Sequence, residues 1–559
     1  MKSPKNRILS ALLCAAMLAA PLTGCGAGDT GNSTQTPSPT QSASPSGTAS
    51  PTPEVRQKIT AAIYDRGNIP ASEGTITDNR WTRWINENSP VDVEFIAIPR
   101  WTSSEKYNAL FASGTAPDLI EEFSVANLNT FYSNRLLMPL NDVVDNSSTE
   151  YKALLEQYPS LRKFLTREDG QMYTFGAIMS AASNHYLLMR KDWLDNLGLK
   201  APTTPEEFIA VCDAFTNRDP DGNGAKDTLA ASLAGTMTSL MTAMFGGMGS
   251  WQNDWRFDDS GEMVYRWDQV EASVTFKKAL YDGGYIDKDF ATDNNGTKAM
   301  QDFISGKLGI VGLNGGKGAI LNTLNSLVEN NPDADIIPIA LPTTEFGSFV
   351  PAGGSFMQHT GGINASSKKP EAVIAYLDFL NKTETLVSLR YGGEEYSVVD
   401  ANTGGLVAKN QEKFKTEVSY TGDFFMSSSK ILDPYNDILP FNTNEPLQKR
   451  ARDIVVAADK MYLDPSRGVY QLMVMPALPE ELALIQANIG TQLDDCYTKA
   501  ILGGSSYSAA QAVADARKIF TDAGGEQLTE YYNEWFKNND SGIVSNEDMA
   551  KMLPEYVKN

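Results

Sequence analysis

Two separate stretches of this chain alternate strand-like with helix-like segments, and that alternation restricts what it can fold into. In the first, residues 58–64 read as a strand that Asp65-Arg66-Gly67-Asn68 breaks; a helical pattern follows through Trp81, Trp84 and Ile85. Residues 91–98 alternate as a second strand, 107–112 are helical and close at Gly114, and 118–120 form a third short strand. Parallel strands need a crossover long enough to hold a helix, so this alternation predicts a parallel α/β sheet. Ligands then sit beyond the strands' carboxyl ends, which makes Asp65, Arg66, Glu121, Glu122 and Phe123 the candidate cleft residues. The second stretch starts near Asn184: 185–190 read as a strand and 191–194 open a helix. Thr204 reads as the next N-cap, with Pro205 at the first helical position and Glu206 and Glu207 in the first turn. Leu482, Ile485, Ile489, Leu493 and Tyr497 lie three or four residues apart on a C-terminal helix. A chain of 559 residues exceeds what one core usually supports. Two lobes are the expectation.

The N-terminus reads as an export signal. Lys2, Lys5 and Arg7 precede an apolar run over 8–20, too short to span a bilayer. Leu22-Thr23-Gly24-Cys25 resembles the bacterial lipobox, which implies a signal peptide over 1–24 and a lipid on Cys25. Residues 25–56 are rich in Gly, Ser, Thr, Gln, Ala and Pro, with little to bury, and read as a disordered tether. The chain is then expected on the outer face of a cell membrane, held by lipid. A net charge of −22 argues against nucleic acid or anionic lipid as a partner. Only Cys212 and Cys496 remain after Cys14 and Cys25, as one disulfide or two thiols. Two histidines, His185 and His359, are too few for a His-rich zinc site.

One motif looks made for a metal. Asp219-Pro220-Asp221-Gly222-Asn223-Gly224-Ala225-Lys226-Asp227 puts oxygen-bearing side chains at positions 1, 3, 5 and 9 and glycine at position 6. Asp219, Asp221, Asn223, the Ala225 carbonyl and Asp227 form a hard-oxygen set that suits structural calcium. Position 12 is Ala230, where an EF-hand has glutamate, and the residue after Asp227 is Thr228. No Gly-x-Ser-x-Gly elbow, Walker A loop or His-Glu-x-x-His is present. The glycines of 312–318 read as a turn after a strand over 308–311. Among the tryptophans, Trp251 in a glycine-flanked loop is the best candidate for stacking on a sugar; Trp101, Trp255 and Trp267 are further loop aromatics, and Trp193 and Trp535 read as core.

Together these pieces resemble the extracellular solute-binding proteins of carbohydrate ABC importers. The resemblance lies in Tyr107-Asn108-Ala109-Leu110-Phe111-Ala112-Ser113-Gly114-Thr115-Ala116-Pro117-Asp118-Leu119-Ile120, in Met189-Arg190-Lys191-Asp192-Trp193-Leu194, in 197–208 and in Gly361-Gly362-Ile363-Asn364-Ala365-Ser366 with Lys369-Pro370-Glu371. Length and the calcium-like loop resemble the larger subgroup of alginate-binding and LipO-like proteins. The resemblance implies a two-lobe α/β fold of the type II periplasmic-binding-protein class, with hinge-crossing strands and a cleft between the lobes. It implies lobe one at 57–182 and 355–440, lobe two at 183–354 and 441–559, and crossings near Ser183-Asn184 and Ala352-Gly353-Gly354. It further implies ligand contacts at Asp65, Arg66, Glu122, Phe123, Asn184, His185, Trp251, Asn314 and Lys317. The family's maltose binder presents aromatics near Phe123 and again where this chain has Asn314 and Lys317. The implied protein is a monomer and not an enzyme; it captures a carbohydrate, an oligosaccharide or alternatively a peptide, and delivers it to ABC permease subunits. Two other readings stand beside it: an extracellular polysaccharide-acting enzyme and a ligand-presenting signalling lipoprotein.

Overall fold

Two β-sheets, one of five strands and one of three, organise the chain. The computed structural model describes residues 56–558 apart from 168, 248–254, 259, 294, 352–355, 465–477 and 540–545. The leader, the tether, Cys25, Trp251 and the expected crossing at 352–354 lie outside the described residues. The strands are β1 (Lys58–Asp65), β2 (Asp92–Pro99), β3 (Leu119–Glu121), β4 (Phe175–Ile178), β5 (His185–Arg190), β6 (Trp255–Phe257), β7 (Met263–Tyr265), β8 (Ile310–Asn314), β9 (Ile336–Pro338), β10 (Met357–Ile363), β11 (Ser397–Val399) and β12 (Leu406–Ala408). The first sheet has the order β2-β1-β3-β10-β4 and the second β8-β5-β9; β6–β7 and β11–β12 are separate ribbons.

The expected parallel pairing holds for β1 with β2 and β3. It fails elsewhere: β10 runs antiparallel to β3 and β4, and β5 runs antiparallel to β8 and β9. β1–β3 are joined in sequence by helices that carry the chain back for parallel pairing, whereas β10 reaches β3 and β4, and β5 reaches β8 and β9, across long stretches of chain that impose no such direction. β8 extends to Asn314, so the glycine turn begins three residues later than 308–311 implied.

β5 shows how the sequence dictates burial. Its apolar run does not alternate with polar residues because both faces are covered: Leu187 and Met189 pack with Trp193, Phe208 and Phe215, while Tyr186 and Leu188 pack with Ile320, Leu324 and Val455. Ile489 and Leu493 of helix Glu480–Leu502 are fully buried, as their spacing predicts. Thr204 caps helix Pro205–Asn217 by accepting the Glu207 N–H at 3.2 Å. Under the first sheet, Ile59, Ile63 and Phe95 pack with Trp81, Tyr376 and Leu377. Met549 and Met552, which the sequence reading groups with the second lobe, are buried in this first cluster. The Ser160 N–H donates to Asp548 at 3.0 Å, and Tyr556 donates to Asp459 of helix Pro446–Tyr462 at 2.6 Å. The last segment therefore packs on both bodies.

Two sequence motifs far apart in the chain are joined at β3 and β10. Asn364 donates to the Ala116 carbonyl at 2.9 Å, and Ser367 donates to Asp118 at 2.7 Å. Gly361 has φ +140°, and a Cβ there would lie 1.8 Å from the Ile120 carbonyl oxygen, so only glycine fits. Cys212 and Cys496 are both free thiols, Cys212 buried. Among the described residues no helix is long and apolar enough to cross a membrane.

Candidate functional site

β1, β2 and β3 run the same way, so their carboxyl ends share one sheet edge. Asp65-Arg66, Arg100-Trp101 and Glu122-Phe123 follow them there. Asp65 accepts the Gly67 N–H at 2.9 Å and fixes the turn. Arg66 donates to both carboxylate oxygens of Asp423, at 2.7 and 2.9 Å, and keeps about a third of its side chain exposed (36%). Hydrogen bonding to Asp423 raises its pKa further.

Glu121 and Glu122 sit differently from their expected place: Glu121 is buried and accepts from Ser427 at 3.2 Å, and Glu122 is the more enclosed of the two. It is completely buried and accepts from Tyr64, from Ser103 at 3.0 Å, and from the Ser124 N–H and the Asn127 amide at 2.8 Å each. A carboxylate so fully engaged does not reach into a cleft; it anchors the rings beside it. Burial pushes the Tyr64 phenol well up, and the hydrogen bond to Glu122 pushes the same way. Phe123 stands edge-on to Tyr64 at 5.3 Å between ring centres. Arg100 lies over Phe123 at 4.1 Å, Tyr64 at 5.1 Å and Trp101 at 5.4 Å. Trp101 is 79% exposed, the most open large hydrophobic among the described residues. Trp255, in contrast, is fully buried and donates to Thr529 at 3.0 Å, which makes it core.

In the second sheet Asn184, His185 and Asn314 come together. His185 pairs with Asn314 across β5–β8, Asn184 lies 2.6 Å from the His185 ring, and its carbonyl accepts the Gly315 N–H at 2.8 Å. Asn314 also lines a cavity of about 360 Å³ along β8 with Thr236, Asn295, Thr297 and Gln301. Its size is that of a small-ligand pocket, and its lining offers amide and hydroxyl partners. Lys317 lies apart from them, 3.5 Å from the Asn436 carbonyl and 5.7 Å from the Tyr556 ring centre. Burial lowers its pKa against the opposing pull of Asp459 and Asp437. Trp251 lies outside the described residues.

The loop 219–227 gathers Asp219, Asp221, Asn223 and Asp227. Asp219 adopts φ 50°, and its oxygens accept the Asn223 and Gly224 N–H groups at 3.1 and 3.0 Å. The Asn223 amide nitrogen is 2.9 Å from Asp221 and 3.3 and 3.4 Å from the two Asp227 oxygens, a donor placed between two carboxylates. Partial burial first, then Asp219 and the Asp227 charge, raises the Asp221 pKa. This donor set suits a hard cation in kind. Among the described residues no group of three or more His, Cys, Asp or Glu side chains is spaced to hold a metal ion. Thr228 donates to the Phe215 carbonyl at 2.8 Å and points into the protein, away from the loop's ligand set.

Residues 84–389 match the model of the bacterial extracellular solute-binding proteins. The chain belongs to that family. The polygalacturonan/rhamnogalacturonan-binding protein YtcQ of Bacillus subtilis is 24% identical over 493 residues, covering 82% of this chain and 88% of YtcQ. The fructooligosaccharide ABC transporter substrate-binding protein FusA of Streptococcus pneumoniae is 29% identical over 209 residues, 34% of this chain and 39% of FusA. FusA with kestose aligns at TM-score 0.58 and 19% identity, over 86% of this chain and 100% of FusA. An extracellular solute-binding protein of Bifidobacterium longum subsp. infantis aligns at TM-score 0.66 and 17% identity, over 87% of this chain and 98% of its own. The two-lobe α/β fold follows. The family and the relatives it matches are substrate-binding proteins and not enzymes.

The edge residues missed in the sequence are Arg100, Tyr64 and Asp423. Arg100-Trp101 carried one usable signal, an arginine–tryptophan pair directly after a strand that ends in Pro99.

Proposed function

We propose that this solute-binding protein is a lipid-anchored receptor on the outer face of a Gram-positive-type cell membrane. It binds an oligosaccharide between its lobes and passes it intact to ABC permease subunits. The observation that carries this reading is Trp101, open to solvent beside a stacked arginine at the carboxyl edge of a parallel sheet. A flat indole face packs on the apolar C–H face of a sugar ring. The names of YtcQ and FusA support a carbohydrate, one acidic and one neutral. Asp65, Arg66, Phe123, Asn184, His185 and Asn314 supply polar and aromatic contacts from the two sheets, and the hinge crosses near Ser183-Asn184 and Ala352-Gly353-Gly354. Ligand touching both lobes stabilises the closed form and shifts the population toward it. Calcium, held by Asp219, Asp221, Asn223, Asp227 and the Ala225 carbonyl, pins the loop after helix Pro205–Asn217. A structure of FusA described as an EF-hand mutant supports that assignment. Lipid on Cys25 ties the monomer to the membrane.

A thermal-shift screen of the purified protein against acidic and neutral oligosaccharides, with calcium present, tests the reading. A ligand that binds only the folded state raises the melting temperature by mass action. The expected result is a shift from one glycan class, with the glycan recovered unchanged. Cleavage of the glycan, or no shift from any, overturns the proposal.

A further inference from the structure

We propose that Arg100 makes this receptor select a carboxylate-bearing sugar: its guanidinium grips a uronate carboxylate while Trp101 packs on the sugar ring. The inference rests on the reading that the edge of the first sheet binds carbohydrate, and it decides which kind.

The two arginines at that edge are treated differently by the fold. Arg66 has its counter-charge inside the protein, both oxygens of Asp423. Among the described residues Arg100 has none: its partners are the rings of Phe123, Tyr64 and Trp101, and its Nε is buried without a hydrogen-bond acceptor. The buried acid that follows β3, Glu122, already serves Tyr64, Ser103, Ser124 and Asn127. Withdrawing a cation from water without a counter-ion is costly, and ring faces recover part of that cost. A carboxylate brought by the ligand would complete the compensation. The guanidinium already lies against three rings, so it is positioned before the ligand arrives and little rotamer freedom is lost on binding. Charge-assisted, two-pronged pairing of this sort is about twice as strong as a neutral hydrogen bond. A neutral sugar supplies hydroxyls only and leaves the arginine unpaired. In a chain of net charge −22, an unpaired arginine beside an open tryptophan is a local exception to a surface that otherwise repels anions.

Calorimetric titration of the purified protein with trigalacturonate, its fully methyl-esterified form and kestose tests this. The ester has the same size and rings but no charge. The expected result is that the acid binds at least about ten-fold more tightly than the ester, the range of a charge-assisted pair. Arg100→Gln should bring acid and ester to equal affinity, Arg100→Lys should keep part of the preference, and Trp101→Ala should weaken both alike. Equal affinity of acid and ester for the unmodified protein, or an unchanged preference in Arg100→Gln, overturns the inference. If Arg100→Gln does not fold, the acid–ester comparison on the unmodified protein decides alone. Binding of kestose without either galacturonate leaves the carbohydrate reading standing and removes this one; binding of no sugar removes both.

Discussion

Replacing Glu122 separates an anchor from a ligand contact. The side chain is fully buried, and Glu122→Ala would strip the acceptor from Tyr64, Ser103, Asn127 and the Ser124 N–H together. A buried polar group left without its partner costs about 1–3 kcal/mol. Ser103 and Tyr64 are buried, whereas Asn127 and Ser124 lie close enough to solvent for water to relieve part of the loss. The sum is about 3–5 kcal/mol, the upper end for a single substitution. If a lobe of roughly 250 residues melts as one unit, each kcal/mol moves its midpoint by about 2 °C. Glu122→Ala should therefore lower the first transition by about 6–10 °C in differential scanning calorimetry. Glu122→Gln, which keeps one acceptor oxygen, should lose less. A midpoint within about 1 °C of the parent for Glu122→Ala, or a larger loss for Glu122→Gln than for Glu122→Ala, would refute the anchor role.

Gly361→Ala should disrupt the first sheet, since its Cβ would meet the Ile120 carbonyl at 1.8 Å; a soluble, equally stable variant would contradict the close approach of β10 to β3. His359 on β10 has its imidazole pKa pushed down from 6.5 to about 4 by burial, with the Arg167 charge adding to it. The unfolded chain then binds the extra proton between those values, so stability is complete above about pH 6.5 and falls by up to about 3 kcal/mol toward pH 4. His359→Gln should flatten that slope in urea titrations at pH 7 and 4.5, and an unchanged slope would count against it. With calcium at about a hundred times its dissociation constant the melting free energy should rise by about 2.7 kcal/mol. Asp221→Ala should abolish that gain and match the parent in chelator; a calcium response that survives the substitution would remove the 219–227 loop as the site.

Much of the frame was legible because it is local. β1 is a short strand-like run ended by Asp65-Arg66-Gly67-Asn68, β2 alternates, β5 is a short apolar run, and Thr204-Pro205 writes its own helix start. Pairing direction was not local: β10 and β5 pair with strands far away in sequence, and nothing within either strand records which way the chain arrives. The site shows the same division. Asp65 and Phe123 could be placed from strand ends alone. Glu122 could be placed but not oriented, because its direction is set by Ser103 and Asn127 on neighbouring helices. Arg66 meets Asp423 across 357 residues of sequence. Arg100 gains its meaning only when three strand ends bring Tyr64, Trp101 and Phe123 around it.

Small-angle X-ray scattering of the purified protein, with and without saturating trigalacturonate or kestose, tests the central claim of capture by lobe closure most directly. The account predicts a smaller radius of gyration with whichever sugar binds, reversed when the intact sugar is dialysed away. An unchanged radius at saturation would contradict closure around a ligand held between the lobes.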